Sequence, residues 1–196
     1  MRYRSWGNDS LMPVLAIIIT CFILYLATVI ANFFGYSLIG YLGMRPASLL
    51  TQPWTIVTSL FMHGGIWHLL ANMLTLYFFG TFLQRLVGSG TFLLIYFIGG
   101  IVGNVLFILL GPPFAVVVGA SGAIFALGGT LAVLVPMSRV YIFPIPVPMP
   151  LWVAVLGGFL ILCFVPGIAW QGHLGGLITG VIAGFILRRR RRFLLL

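Results

Sequence analysis

The stretch Val118-Gly119-Ala120-Ser121-Gly122-Ala123-Ile124-Phe125 sets one hydroxyl among residues almost too small to shield it, at the start of an apolar run. A backbone this bare can be approached closely by a substrate or by a neighbouring helix. A serine becomes a nucleophile when an adjacent base takes its proton, and three histidines are available: His63, His68 and His173. Taken alone, the stretch also describes a packing face, because small residues collect wherever membrane helices cross. His68 and Asn72 are four residues apart, share a helical face, and can both donate hydrogen bonds toward a developing oxyanion. His63 could order the start of that helix or give access to water, and its plainer role is structural.

The missing residues sort the chemistry further. The chain has ten arginines, no lysine, no glutamate and one acid, Asp9. A zinc protease of the H-E-x-x-H kind needs a glutamate, and an intramembrane aspartyl protease needs two aspartates. A Ser-His-Asp triad fails as well, since Asp9 precedes the first helix, on the opposite side of the membrane from Ser121 and His173. What remains is a Ser-His dyad whose imidazole is oriented by packing. It calls for no metal and no cofactor.

The elements that must hold these residues are membrane helices. Of 196 residues, 62% are hydrophobic and only 6% charged, and the mean hydropathy of +1.22 excludes a soluble globular domain. A helix needs about 20 apolar residues to cross the hydrocarbon core. That rule predicts spans near residues 12–34, 66–86, 91–110, 120–136, 150–166 and 170–187 of a single membrane domain, 1–196, with no repeat and no flexible linker. Arg2 and Arg4 ahead of the first span are not read as a signal peptide, because the run from Leu11 to Phe34 is too long for one.

With both termini inside, nine arginines fall on the cytoplasmic side and only Arg45 outside. Five of the nine form the tail run Arg188 to Arg192, suited to anionic lipid headgroups and not to nucleic acid. Residues 35–65, with Tyr36, Tyr41, Trp54 and Phe61, are expected to lie in or on the outer leaflet, and Trp67 and Trp170 to mark the interface. Pro144, Pro146, Pro148 and Pro150 should stop the fourth span and stiffen the approach to the fifth. Cys21 and Cys163 read as small core residues.

Spans two, four and six run the same way, and each carries its polar residue near its outer end. His68 is 17 residues before Arg85, Ser121 is 18 before Arg139, and His173 is 15 before Arg188. At 1.5 Å per residue these are about 22 to 27 Å from the inner surface, so all three share one depth. Gly172, Gly176, Gly180 and Gly184 form a ridge on span six, and Gly122 and Ala126 a matching small face on span four. Close crossing there could bring His173 within about 3 Å of Ser121. The same glycines could instead only pack, with His173 bonding a carbonyl. Pro136 makes span four short, so its outer end begins inside the membrane, which requires a protein-lined or watery cavity.

His68-Leu69-Leu70-Ala71-Asn72, Gly119-Ala120-Ser121-Gly122 and Gly172-His173-Leu174-Gly175-Gly176 continuing to Gly180 resemble, in order, spacing and topology, the rhomboid intramembrane serine proteases over residues 54–187. The resemblance implies an all-α bundle of six transmembrane helices with a membrane-associated first loop. It further implies that Ser121 is the nucleophile and His173 the general base and later acid. His68, Asn72 and the Ser121 N–H would be oxyanion donors, supported by Gly119, Gly122, Gly176 and the ring of Phe125. Transmembrane proteins would be the substrates, cleaved near the outer face of the cell membrane.

Three positions depart from the family pattern: Phe125 where tyrosine is common, Gln84 where glutamate is common, and Thr55 after Trp54 where arginine is common. A channel or transporter, or a non-catalytic membrane scaffold, are the rival readings of polar residues at one depth.

Overall fold

The computed structural model describes residues 11–142 and 145–193. Its first helix, α1 (Met12–Phe33), opens with Pro13 in its first turn, where the missing N–H is no loss. It closes on Gly35, whose φ of 82° lets Tyr36 N–H reach the Ala31 carbonyl at 2.9 Å and Gly35 N–H the Asn32 carbonyl at 3.1 Å.

The long connection that follows has structure of its own. Ser37 caps α2 (Leu38–Leu42) by accepting from Gly40 N–H at 3.1 Å, a 3-10 turn covers Pro46–Ser48, and α3 (Thr55–Thr58) runs into a second such turn at Ser59–Phe61. Trp54 Nε1 donates to the Tyr41 carbonyl at 3.0 Å and Thr58 Oγ1 to the Leu42 carbonyl at 2.7 Å. Thus an anchor exists without arginine at position 55, where Thr55 Oγ1 instead donates to Gln52 at 2.6 Å. Met44 and Val117 exchange backbone bonds of 3.0 and 2.8 Å, tying this segment to the chain just before Ser121.

Two antiparallel helices follow, α4 (Ile66–Val87) and α5 (Ser89–Leu110), joined at Gly88 with φ 84°. Gln84 Nε2 donates to Ser89 Oγ across that turn at 3.1 Å. After α6 (Ser121–Leu134) come β1 (Arg139–Ile142), β2 (Ile145–Pro150), α7 (Leu151–Cys163) and α8 (Trp170–Phe193). At 1.5 Å per residue α1, α4, α5 and α8 are about 33 to 36 Å long and α6 and α7 only about 20 Å. The first four are long and apolar enough to cross a membrane.

Two features differ from the sequence reading. The proline-rich connection is an antiparallel ribbon, pairing Arg139 with Pro150 and Val140 with Met149. Prolines at alternate positions remove donors from one edge of β2 only, and a two-stranded ribbon has no third strand to need them. Helix α8 also continues through the arginine run to Phe193, since arginine favours helix and cations suit a helix C-terminus.

At the centre stands α6, burying Ala123, Ile124, Ala126, Leu127, Gly128, Gly129, Thr130 and Leu131 against α4, α5, α7 and α8. Outward faces carry exposed Ile23, Phe78, Leu94 and Ile182, which lipid accommodates and water does not. Glycines decide how closely α8 approaches. A Cβ on Gly176 would collide with the Gly122 carbonyl, one on Gly180 with that of Ala126, and one on Gly175 would stand 2.8 Å from the Val102 carbonyl. Helix α8 therefore lies in backbone contact with α6 on one side and α5 on the other.

Candidate active site

Ser121 is the first residue of α6, and His173 lies in the first turn of α8. The close crossing sets His173 Nε2 2.8 Å from Ser121 Oγ, with the histidine buried and the serine half-buried. Phe125, one turn along α6, stacks on the imidazole with ring centroids 4.8 Å apart and planes at 34°, and Phe159 of α7 meets Phe125 edge-on at 5.9 Å. Packing thus fixes the ring plane, while His173 Nδ1 is buried without a hydrogen-bond partner among the described residues.

Both residues open into a cavity of about 550 Å³ that His68, Asn72, Gly119 and Gly122 also line. The first helical bond of α6 runs from Ile124 N–H to the Ala120 carbonyl at 2.9 Å, so the amides of Ser121, Gly122 and Ala123 have no helical acceptor. They carry the positive end of the helix dipole, which suits an anion beside Ser121.

Gly119 faces two demands that only glycine meets. Its φ is 127°, and a Cβ there would stand 2.8 Å from His68 Nε2. The His68 ring is therefore pressed against the backbone two residues before the serine. Asn72 spends one Nδ2 hydrogen on the His68 carbonyl at 2.8 Å and lines the cavity one turn further along α4. His68, Asn72, Ser121 and His173 meet at a single cavity.

Comparison with known proteins identifies this assembly. A family model described as the Rhomboid domain matches residues 50–190. The chain belongs to the rhomboid family. It is 34% identical over 160 residues to "Rhomboid protein 1, mitochondrial" of Saccharomyces cerevisiae, covering 71% of this chain and 43% of that protein. With "Rhomboid protease GluP" of Bacillus subtilis it shares 38% identity over 149 residues, 74% of this chain and 28% of the other. With "Putative rhomboid protease YdcA" of the same organism it shares 32% over 143 residues, 71% of each. The chain thus spans less than half the length of the first two. A rhomboid domain with four helices apt to cross a bilayer is a helical membrane protein.

Within this rhomboid domain, the contacts of two residues lie outside what the sequence displays. His63, buried before α4, makes a T-shaped contact with the His68 ring at 5.1 Å, and its Nδ1 lies 3.3 Å from the Phe61 carbonyl. Burial pulls its pKa down to about 4, with His68 adding to the shift and the Phe61 bond opposing it. Asn104 of α5, also at the cavity, bonds to the Ile56–Ser59 turn. The signal for it was an amide inside an apolar span, expensive there unless it holds something.

Proposed function

We propose that the chain is an intramembrane serine endopeptidase that hydrolyses peptide bonds in or near transmembrane segments of other membrane proteins. The observation that carries this reading is the 2.8 Å separation of His173 Nε2 and Ser121 Oγ in the lining of the cavity. In the proposed mechanism His173 takes the hydroxyl proton as Oγ attacks the carbonyl carbon. The Ser121 N–H, His68 and Asn72 stabilise the oxyanion, and His173 returns the proton to the leaving amine. Water then attacks the acyl-serine by the same route in reverse and releases the new carboxylate. Phe125 keeps the imidazole plane aligned, and Gly119, Gly122 and Gly176 allow the approach.

The reading places six helices across the bilayer of the cell membrane, both termini in the cytoplasm and the cavity near the outer face. Residues 35–65 lie in or on the outer leaflet. The shortness of α6 and the nine-to-one arginine count support this arrangement. Substrate helices approach sideways near α7. At the other end of the bundle Arg85, Arg139, Arg188 and Arg189 are exposed, and anionic lipid headgroups are their partners.

The test is co-reconstitution with a panel of single-span membrane proteins and mapping of fragment termini by mass spectrometry. Cleavage in or beside a span by wild type, and none by Ser121→Ala, is expected. Equal cleavage by Ser121→Ala overturns the reading.

A further inference from the structure

Asn104 stands in the apolar helix α5 and is 4% exposed. An amide so placed is unfavourable unless both its hydrogens are used. Both are: Nδ2 donates to the Ile56 carbonyl at 2.8 Å and to Ser59 Oγ at 2.9 Å. Ser59, 1% exposed, accepts the Gly119 N–H at its carbonyl at 2.9 Å. The bonds that start at Asn104 therefore end two residues before Ser121, at the glycine against which the His68 ring rests.

We infer that Asn104 is a positioning residue for hydrolysis: it clamps the Ile56–Ser59 turn onto α5, and the Ser59 carbonyl then holds Gly119 so that His68 and the Ser121 amide face one point. The inference rests on the proposed hydrolytic reading. Asn104 lines the cavity, and its hydrogen bonds lead to the reacting atoms through Ser59 and Gly119. Its loss displaces the oxyanion donors and leaves the Ser121–His173 pair, which α6 and α8 hold independently.

The experiment reads the reaction of the full chain in lipid vesicles with a fluorophosphonate probe. Ser121 Oγ bonds to phosphorus, fluoride leaves with the P–F bond, and His173 takes the proton. In Asn104→Ala the rate constant kinact falls on the order of tenfold, since small misplacements are costly in a preorganised site, while KI stays within about twofold. Ser59→Ala keeps the Ile56 bond and the Ser59 carbonyl, and loses about threefold.

Combined with His68→Ala, which removes the donor being positioned, Asn104→Ala adds little further loss. A merely structural asparagine would lower melting temperature and give losses that multiply in the double variant. An unchanged kinact in Asn104→Ala, or multiplying losses, overturns the inference alone. Should Asn104→Ala not fold, Ser59→Ala decides by the same comparison. A wild type that shows no Ser121-dependent labelling overturns the hydrolytic reading and this inference together.

Discussion

Gly176 and Gly180 of α8 and Gly157 and Gly158 of α7 are all glycines of apolar helices, yet their surroundings are opposite. A side chain on either of the first two would run into the backbone carbonyl of Gly122 or Ala126, whereas one on either of the second two would meet nothing within 4 Å among the described residues. Helix α8 is seated on α6 backbone to backbone along its length. Helix α7 buries only Leu151, Ala154 and Val155 near its start, and Phe159 touches Phe125 beyond them. The difference separates two mechanical roles. The serine and histidine sit on the joint that cannot slide, and the neighbouring wall of the cavity belongs to a helix that is lightly held. The proposed hydrolysis of membrane helices would call on both properties, a fixed dyad and a wall that yields.

Four measurements bear on this contrast. The largest effect is expected from Gly176→Ala: the added methyl forces α8 away from α6, overpacking costs about 1–3 kcal/mol, and a spread dyad loses activity by roughly a hundredfold. Thermal unfolding and cleavage rate measured together check it; wild-type activity in that variant would show the joint to be slack. Next is Gly119→Ala, strained by its φ of 127° and set against His68, with activity down about tenfold and a lower melting temperature.

His63 gives a pH effect on the fixed side of the molecule. Its pKa is lowered to about 4, so the fold holds the neutral imidazole. The stability this contributes is complete above the ordinary histidine value near 6.5 and is lost as pH falls toward 4. Melting temperature should drop across that window, and His63→Phe should flatten the drop. The smallest effect is expected from Gly158→Ala, which meets open space and gains helix propensity. It should leave melting temperature equal or higher and activity within about twofold; a large loss would show that α7 packs closely during turnover.

What was legible in the sequence follows from the range of the forces involved. The glycine ridge, Pro136 and the apolar runs act locally, and they gave the helices to within a few residues and the crossing that joins Ser121 to His173. The ribbon at Arg139–Pro150 was hidden because four prolines look like a loop; Pro144 lies outside the described residues, and the strand pairing shows that Pro146, Pro148 and Pro150 leave only one edge without donors. The end of α8 was hidden because charge was read as a membrane boundary, while the backbone had no reason to leave the helix there. Asn104 and Ser59 are 45 residues apart, and no local pattern announces a bond between them. Phe125 keeps its ring on His173 although the family's common hydroxyl is absent, so the contact depends on the aromatic face. With threonine at position 55 where arginine is common, the segment is held by Trp54 and Thr58, through backbone carbonyls that a sequence motif does not display.

If the close joint makes Ser121 a nucleophile with His173 as its base, the serine reacts with an electrophile only while both residues are present. Labelling of the purified chain by a fluorophosphonate probe, in wild type, Ser121→Ala and His173→Ala, tests it most directly. One labelled site, Ser121, is expected in wild type and no label in either variant. Label that persists in Ser121→Ala, or a folded wild type that takes none in detergent and in lipid, would contradict it and turn attention to a scaffold or a channel.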